Sequence, residues 1–172
     1  MNTRRLLVVI TIILAPWLGS QTIAQVEQVD LGVDGLACPF CSYGLEKKLN
    51  EIKGVDEVSI YIDKGIASIK GNKGESIDVD QLDPVVKDAG FTTREISVVA
   101  VGKITMSEGR PVLLANDNNT NFILKSNEAL EKLLNQLAGA ERSVRVVGTL
   151  MNEMPQNHKG HPYTLTIREF TL

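Results

Sequence analysis

The stretch Gly35-Leu36-Ala37-Cys38-Pro39-Phe40-Cys41 lies between a strand pattern and a helix pattern, and it holds the only two cysteines of the 172-residue chain. Apolar residues alternate at period two from Val29 to Val33, which predicts a strand before it. A helix is predicted after it, over Ser42 to Ile52, with an apolar face formed by Tyr43, Leu45, Leu49 and Ile52. A strand, the cysteine loop and a helix are therefore the first three segments of the predicted fold.

Strand and helix signals continue to alternate as far as residue 96. The alternation of Val58, Ile60 and Ile62 predicts a second strand, and Asp63-Lys64-Gly65 predicts the turn into a third strand over residues 66–70. We expect Asp80 to cap a second helix that ends at Gly90, with an apolar face formed by Leu82, Val85, Val86 and Ala89. Residues 91–96 form the last predicted strand. The order βαββαβ predicts an α+β, ferredoxin-like sandwich with two helices on one face of a four-stranded sheet.

The stretch from Val29 to Ile96 resembles a heavy-metal-associated domain, the family that includes copper chaperones, the amino-terminal modules of copper pumps and the periplasmic mercury-binding protein. The resemblance rests on the cysteine stretch and on four later segments. These segments are Leu45-Glu46-Lys47-Lys48-Leu49, Gly54-Val55, the apolar pair Val58 and Ile60, and Asp88-Ala89-Gly90-Phe91.

The resemblance implies that residues 26–96 form such a domain and that Cys38 and Cys41 hold a metal ion. It implies reversible binding, in which the thiolates of a metal-accepting or metal-donating partner protein replace these two. Leu36 stands where the family usually has methionine, and we expect it to pack the loop against the core. Phe91 is expected to cover the site by the same resemblance.

The chemistry of a cysteine pair favours a soft cation. Unpaired N–H groups at a helix start favour the thiolate, and the sequence predicts Cys41 at this position. Thiolates select Cu(I) and similar ions such as Hg(II), and they also bind Zn(II). Zinc prefers four ligands, whereas Cu(I) is satisfied by two. We therefore expect a Cu(I)-binding protein that transfers its metal and is not an enzyme, with Hg(II) or Zn(II) as alternatives.

The second half predicts mostly strands, over residues 99–106, 111–115, 122–125, 144–151 and 163–170. One helix interrupts them, capped by Asn127 and ending near Gly139. Its apolar stripe consists of Leu130, Leu133, Leu134 and Leu137. Three strands, a helix and two strands is the order of a small OB-type barrel, so residues 97–172 are predicted to form an OB-like β-barrel domain.

A second, speculative metal site lies between the last two predicted strands. Its candidate ligands are Met151, Met154, His158 and His161. Thioether and imidazole groups suit copper where thiols are oxidised. These residues also have an explanation without a metal. Met151 can pack on the barrel, and the residues around the histidines are typical of turns.

Residues 1–24 have the pattern of an export signal. Arg4 and Arg5 precede an apolar run, and Thr22-Ile23-Ala24 offers small residues at its first and last positions that suit cleavage. The apolar run is short for a bilayer, so we expect no permanent membrane span in the mature chain. A periplasmic or secreted location follows as an expectation.

The charge distribution argues against a nucleic-acid partner. Residues 26–96 carry 14 acidic and 8 basic side chains, and residues 97–172 carry 7 and 8. Neither half has the basic excess that phosphate binding requires, and the aromatic residues of the second half, Phe122, Tyr163 and Phe170, are expected in the core.

Two alternatives remain open at the level of sequence. A Cys-Pro-Phe-Cys pair at a helix start also suits a thiol–disulfide oxidoreductase, although the surrounding unit is short for a thioredoxin-type fold. The other alternative is a non-catalytic interaction protein whose cysteine pair is permanently oxidised. A disulfide over a two-residue gap closes almost no loop. Stabilisation by such a bridge is therefore a poor explanation for the presence of the two cysteines.

Overall fold

The computed structural model of the protein describes residues 24–115, 120–151 and 163–172. The first half contains strand β1 (Gln25–Asp34), helix α1 (Pro39–Asn50), strands β2 (Val55–Tyr61) and β3 (Ile66–Gly71), helix α2 (Leu82–Asp88) and strand β4 (Thr92–Ser107). The second half contains strands β5 (Arg110–Leu114) and β6 (Asn121–Leu124), helix α3 (Glu128–Leu137), and strands β7 (Ser143–Leu150) and β8 (Tyr163–Thr171).

The first half has the expected βαββαβ order, and its strands lie in the order β2-β3-β1-β4 with antiparallel pairing. The core-facing residues of β1, Val29, Leu31 and Val33, are all buried. They pack with Leu45 and Leu49 of α1 in one apolar core. The ferredoxin-like arrangement of the first half is therefore confirmed.

Strand β4 runs without a break through Ser97, where the sequence predicts two strands separated by a short junction. Its first part pairs with β1, residues 96–103 also pair with β7, and residues 103–107 pair with β5. Apolar residues from both halves belong to the same core cluster. One strand therefore joins the two halves, while the predicted division at residues 96 and 97 stays a prediction.

The strands of the second half follow the order β4-β5-β6-β8-β7, and the pairing of β7 with β4 closes this set into a ring. β6 and β8 run parallel, and the other neighbours are antiparallel. Helix α3 lies between β6 and β7 in the chain, as predicted. The Asn127 side chain accepts a hydrogen bond from the Leu130 N–H at 2.9 Å, so this predicted cap is confirmed.

The predicted cap of the second helix is wrong. Asp78, not Asp80, caps the short 3-10 turn Val79–Gln81 that precedes α2, and its side chain accepts from the Asp80 N–H. The Asp80 carboxylate instead accepts a hydrogen bond from the hydroxyl of Tyr163, the first residue of β8. Sequence spacing suggested a local role for Asp80, but its partner lies 83 residues away. This contact links the two halves of the chain.

Tyr163 should make the protein less stable in strongly alkaline solution. Its burial, followed by the hydrogen bond from its hydroxyl to Asp80 and the charge of that carboxylate, raises the pKa of the phenol above its ordinary value of 10.0. Below about pH 10 both folded and unfolded chains keep the proton, and above it the unfolded chain loses the proton first. The free energy of unfolding should therefore fall as the pH rises above 10.

Tyr163→Phe should be less stable by about 1 to 2 kcal/mol at neutral pH, since it removes a hydrogen bond to a charged group. Urea unfolding at neutral pH and above pH 10 measures both effects. The decrease in the free energy of unfolding above pH 10 should be smaller in Tyr163→Phe than in the unaltered protein. An equal loss in both proteins would show that Tyr163 does not cause it.

Among the residues that the structure describes, no helix combines the length and the apolar character needed to cross a bilayer.

Candidate metal site

The cysteine loop begins with a turn that needs glycine. Gly35 has φ +93°, a conformation that residues with a Cβ rarely adopt. The Ala37 N–H donates to the Gly35 carbonyl at 2.7 Å, which closes a tight turn. Leu36 between them is buried in the core, as its sequence position predicted. The turn thus anchors the loop inward at Leu36 and brings Cys38 to the start of α1.

The first turn of α1 fixes the spacing of the cysteines. Cys38 is the N-cap residue and Pro39 follows at the start of the helix, where a missing N–H costs nothing. The Ser42 N–H donates to the Cys38 carbonyl at 3.0 Å, and the buried Ser42 hydroxyl donates to the Pro39 carbonyl at 2.8 Å. Sequence reasoning missed this role of Ser42, because a hydroxyl on a helix gives no pattern of its own.

The two thiols are free of any disulfide and interact with each other. Cys38 is half-buried and Cys41 is exposed. The Cys41 N–H, then the Cys41 thiol and then the Phe40 N–H donate to the Cys38 sulfur and lower the pKa of Cys38. The hydrogen bond to Cys38 and its charge raise the pKa of Cys41. When the pair loses a proton, the thiolate is therefore favoured at Cys38, and the Cys41 thiol donates a hydrogen bond to it.

The sequence placed the favoured thiolate at the wrong cysteine. The helix begins at Pro39, earlier than the predicted Ser42, so Cys41 already lies inside the first turn. The backbone N–H groups of this turn point at Cys38, which stands at the N-cap. The start of a helix does favour a thiolate, but this helix starts about one turn before the predicted Ser42.

This assignment predicts the order of thiol alkylation. In the reduced protein at pH 6 to 7, iodoacetamide should modify Cys38 before Cys41, because the thiolate is the reacting species. Peptide mass spectrometry after partial labelling identifies the modified residue. Preferential labelling of Cys41, the more exposed thiol, would contradict the assignment.

Two aromatic side chains lie on the surface beside the thiols. Phe40 is 91% exposed and Tyr43 is 67% exposed. The prediction that Tyr43 belongs to the apolar face of α1 is wrong, because Ser42, Leu45 and Leu49 form the buried face. Tyr43 lies one residue away from Ser42 and therefore about 100° around the helix. The cysteine end of the molecule thus presents exposed apolar surface.

Phe91 lies next to the loop, while its role in covering the site stays a prediction. A Cβ added to Gly35 would be 3.5 Å from the Phe91 ring, so this ring borders the turn that precedes the cysteines. Arg94 pairs at 3.0 Å with Asp34, the residue that precedes this turn. Sequence reasoning missed this ion pair, which joins the end of β1 to β4.

The speculative second site is only partly described by the structure. Met151 follows β7 and is 41% exposed, whereas Met154, His158 and His161 lie outside the described residues. Within the described ranges, no group of three or more histidine, cysteine, aspartate or glutamate side chains could hold a metal ion. The second site stays a prediction.

Comparison with known proteins gives a match in the first half of the chain. Residues 31–92 match the family model of the heavy-metal-associated domain. The copper chaperone CopZ of Staphylococcus aureus strain JH9 is 28% identical over 65 residues, which are 38% of this chain and 94% of that protein. The same figures hold for CopZ of strain Newman.

Solved structures also match this part of the chain. A structure of the CopZ metallochaperone is 27% identical, with 39% of this chain and 98% of that chain covered and a TM-score of 0.36. Oxidized MerP from Ralstonia metallidurans CH34 is 23% identical, with 40% and 94% covered and a TM-score of 0.36. The cysteine loop and α1 lie within the segment that matches the heavy-metal-associated domain and that is similar in sequence to copper chaperones.

Proposed function

We propose that the protein is an exported carrier that holds one Cu(I) between Cys38 and Cys41 and passes it to a partner protein by ligand exchange. The observation that carries this proposal is the pair of interacting, disulfide-free thiols at the exposed start of α1. Export rests on the signal pattern of residues 1–24, nearly all of which lie outside the described residues.

The number of thiols favours Cu(I) over Zn(II). Two thiolates satisfy Cu(I), whereas structural zinc sites are built from four protein ligands and this chain has only two cysteines. The similarity to CopZ supports the same choice. Hg(II) is the other soft cation that such a pair would accept.

The site also suits transfer of the metal. Cys41 is exposed, and Phe40 and Tyr43 beside it leave a surface on which a partner can dock. An incoming thiolate can therefore reach the ion from the open side while Cys38 remains bound. Ligand exchange breaks one metal–sulfur bond for each one formed, so no oxidant or reductant is needed.

For the second half we propose an OB-like β-barrel over residues 97–172 that acts as a docking or spacer module. The support is the ring of strands β4-β5-β6-β8-β7, with α3 between β6 and β7. Phe122 and Tyr163 are buried, so these two rings offer no stacking platform to nucleic acid bases.

A competition titration tests the proposed function. The reduced protein is titrated with Cu(I), Zn(II) and Hg(II) in the presence of a chelator that competes for each ion. We expect one equivalent of Cu(I) to be bound against the chelator, and Zn(II) to be lost to it. Retention of Zn(II) with loss of Cu(I) would refute the proposal.

The oxidoreductase alternative is tested in the same preparation. A thiol–disulfide enzyme reduces insulin quickly, and its activity does not depend on a metal. We expect insulin reduction no faster than that by a free dithiol at the same concentration. Fast reduction without Cu(I) uptake would favour the enzyme.

A further inference from the structure

The face of the sheet opposite α1 and α2 carries a continuous row of small polar side chains. Leu31 and Ile96 point into the core, so the alternating positions Asp30 and Ser97 point to the other face. Paired positions on six neighbouring strands form the row. In strand order the residues are Ser59, Ser68, Asp30, Ser97, Thr149 and Thr166. Five of the six carry hydroxyl groups, and the sixth carries a carboxylate.

Two arginines border this row where β-bulges interrupt the pairing. Arg94 is the extra residue between the pairs Gly32–Glu95 and Val33–Thr93. Arg168 is the extra residue between the pairs Gly148–Ile167 and Val147–Glu169. Bulges re-aim side chains and are often found beside functional sites. The two guanidinium groups come from different halves of the chain. Both line one trough on this face of the sheet.

The trough has a volume of about 240 Å³, and Gly32 and Ile66 are the apolar residues of its lining. A side chain at Gly32 would approach the Arg94 Nε to 3.3 Å, so Arg94 lies directly across this glycine. Asp30, Glu95 and Ser97 complete the polar lining. The volume is below that of a pocket for a drug-sized molecule, so it suits a small ligand.

The lining offers both donors and acceptors. Arg168 donates to the Ser97 hydroxyl, and it forms no ion pair with any residue that the structure describes. The Asp30 carboxylate accepts from the Ser68 hydroxyl at 2.6 Å, and Glu95 accepts from the Thr149 hydroxyl at 3.3 Å. A carboxylate has room for further donors, and a guanidinium has five N–H groups.

We propose that this trough binds a small hydroxycarboxylate. The carboxylate of the ligand pairs with the Arg168 guanidinium, a geometry that supports two parallel hydrogen bonds. The hydroxyl groups of the ligand donate to Asp30 and Glu95, whose charges would repel a bare anion. Arg94 already pairs with Asp34, so Arg168 is the lining arginine that an anionic group engages, and a ligand with both an anionic group and hydroxyl donors fits better than either group alone.

Calorimetric titration with gluconate, acetate and glucose tests the proposal. Gluconate has both features, acetate has only the carboxylate, and glucose has only the hydroxyl groups. We expect gluconate to bind at least about tenfold more tightly than acetate or glucose, and Arg168→Gln to lower its affinity by about tenfold, because each charged hydrogen bond contributes roughly that factor. Arg110→Gln, at an exposed arginine paired with Glu108, is the matched control and should change nothing.

A third variant separates the recognition of the ligand's hydroxyl groups from the recognition of its carboxylate. Asp30→Asn keeps the shape of the side chain but removes its charge, so gluconate binding should weaken while acetate binding does not. Backbone amide shifts on gluconate addition should be largest at Asp30, Ser97 and Arg168. Equal binding of gluconate by Arg168→Gln and the unaltered protein, or no binding of gluconate at all, would overturn the proposal. Cu(I) affinity should be the same in all these variants, so this test does not depend on the function of the cysteines.

Discussion

Replacement of Cys38 by serine should lower the Cu(I) affinity by more than about a hundredfold, because a loss of 10- to 100-fold already follows when residues outside the ligand set of a metal site are changed. The remaining thiol of Cys41 cannot supply the second soft ligand, and a serine hydroxyl is a poor substitute. Cys41→Ser should have a similar effect. Competition with a Cu(I) chelator measures both affinities under reducing conditions.

Gly44→Ala is the matched control for these variants. Gly44 lies in the same helix, and no atom outside the helix lies within 4 Å of the Cβ that the change would add. The Cu(I) affinity of Gly44→Ala should stay within about twofold of the unaltered protein, since the change touches neither thiol. A Cys38→Ser variant that binds as tightly as Gly44→Ala would remove Cys38 from the site.

Gly102→Ala should strongly destabilise the protein. A Cβ at this position would lie 2.1 Å from the Leu114 carbonyl oxygen and 2.8 Å from its carbon. These are backbone atoms of β5, so they cannot move aside without breaking the pairing of β4 with β5. We expect a loss of about 3 kcal/mol in the free energy of unfolding, which corresponds to roughly 6 to 12 °C in Tm for a chain of this size.

The same substitution in α1 should have the opposite sign. Gly44→Ala adds a methyl group at an exposed helical position and should stabilise the protein by up to about 1 kcal/mol. Thermal and urea unfolding of both variants measures the contrast. A Gly102→Ala protein with unchanged Tm would contradict the close approach of β4 and β5 at Gly102.

Much of the first half could be predicted from the sequence, because its elements are short and strongly patterned. The alternation from Val29 to Val33 gave β1, and the turn at Asp63-Lys64-Gly65 lies between β2 and β3 as predicted. In the second half, Asn127 was correctly identified as a cap because its hydrogen bond is local. These features depend on neighbours a few residues apart, and sequence patterns report such neighbours directly.

Features that depend on distant partners could not be predicted. β4 continues through Ser97 because it has strands on both sides, β1 and β7, and neither pairing leaves a local signal. Asp80 was misassigned because its partner Tyr163 lies in the other half of the chain.

The candidate site shows the same contrast. Features set by residue spacing could be predicted, whereas features set by the exact start of a helix could not. The spacing of the cysteines predicts the candidate pair, Leu36 is buried within the loop as expected, and the Phe91 ring lies beside the turn that begins the loop. The identity of the favoured thiolate was missed, because it depends on where the helix starts to within one turn. Boundaries of helices are set by backbone hydrogen bonds such as that from Ser42 to Cys38, which residue patterns locate less well than the helix itself.

X-ray absorption spectroscopy at the copper edge of the reduced, Cu(I)-loaded protein tests whether Cys38 and Cys41 hold the ion. We expect one copper per chain with two sulfur neighbours, and loss of this signal in a protein with both Cys38 and Cys41 replaced by serine. A first shell of nitrogen or oxygen atoms in the unaltered protein, or the same two-sulfur signal without the cysteines, would contradict this expectation.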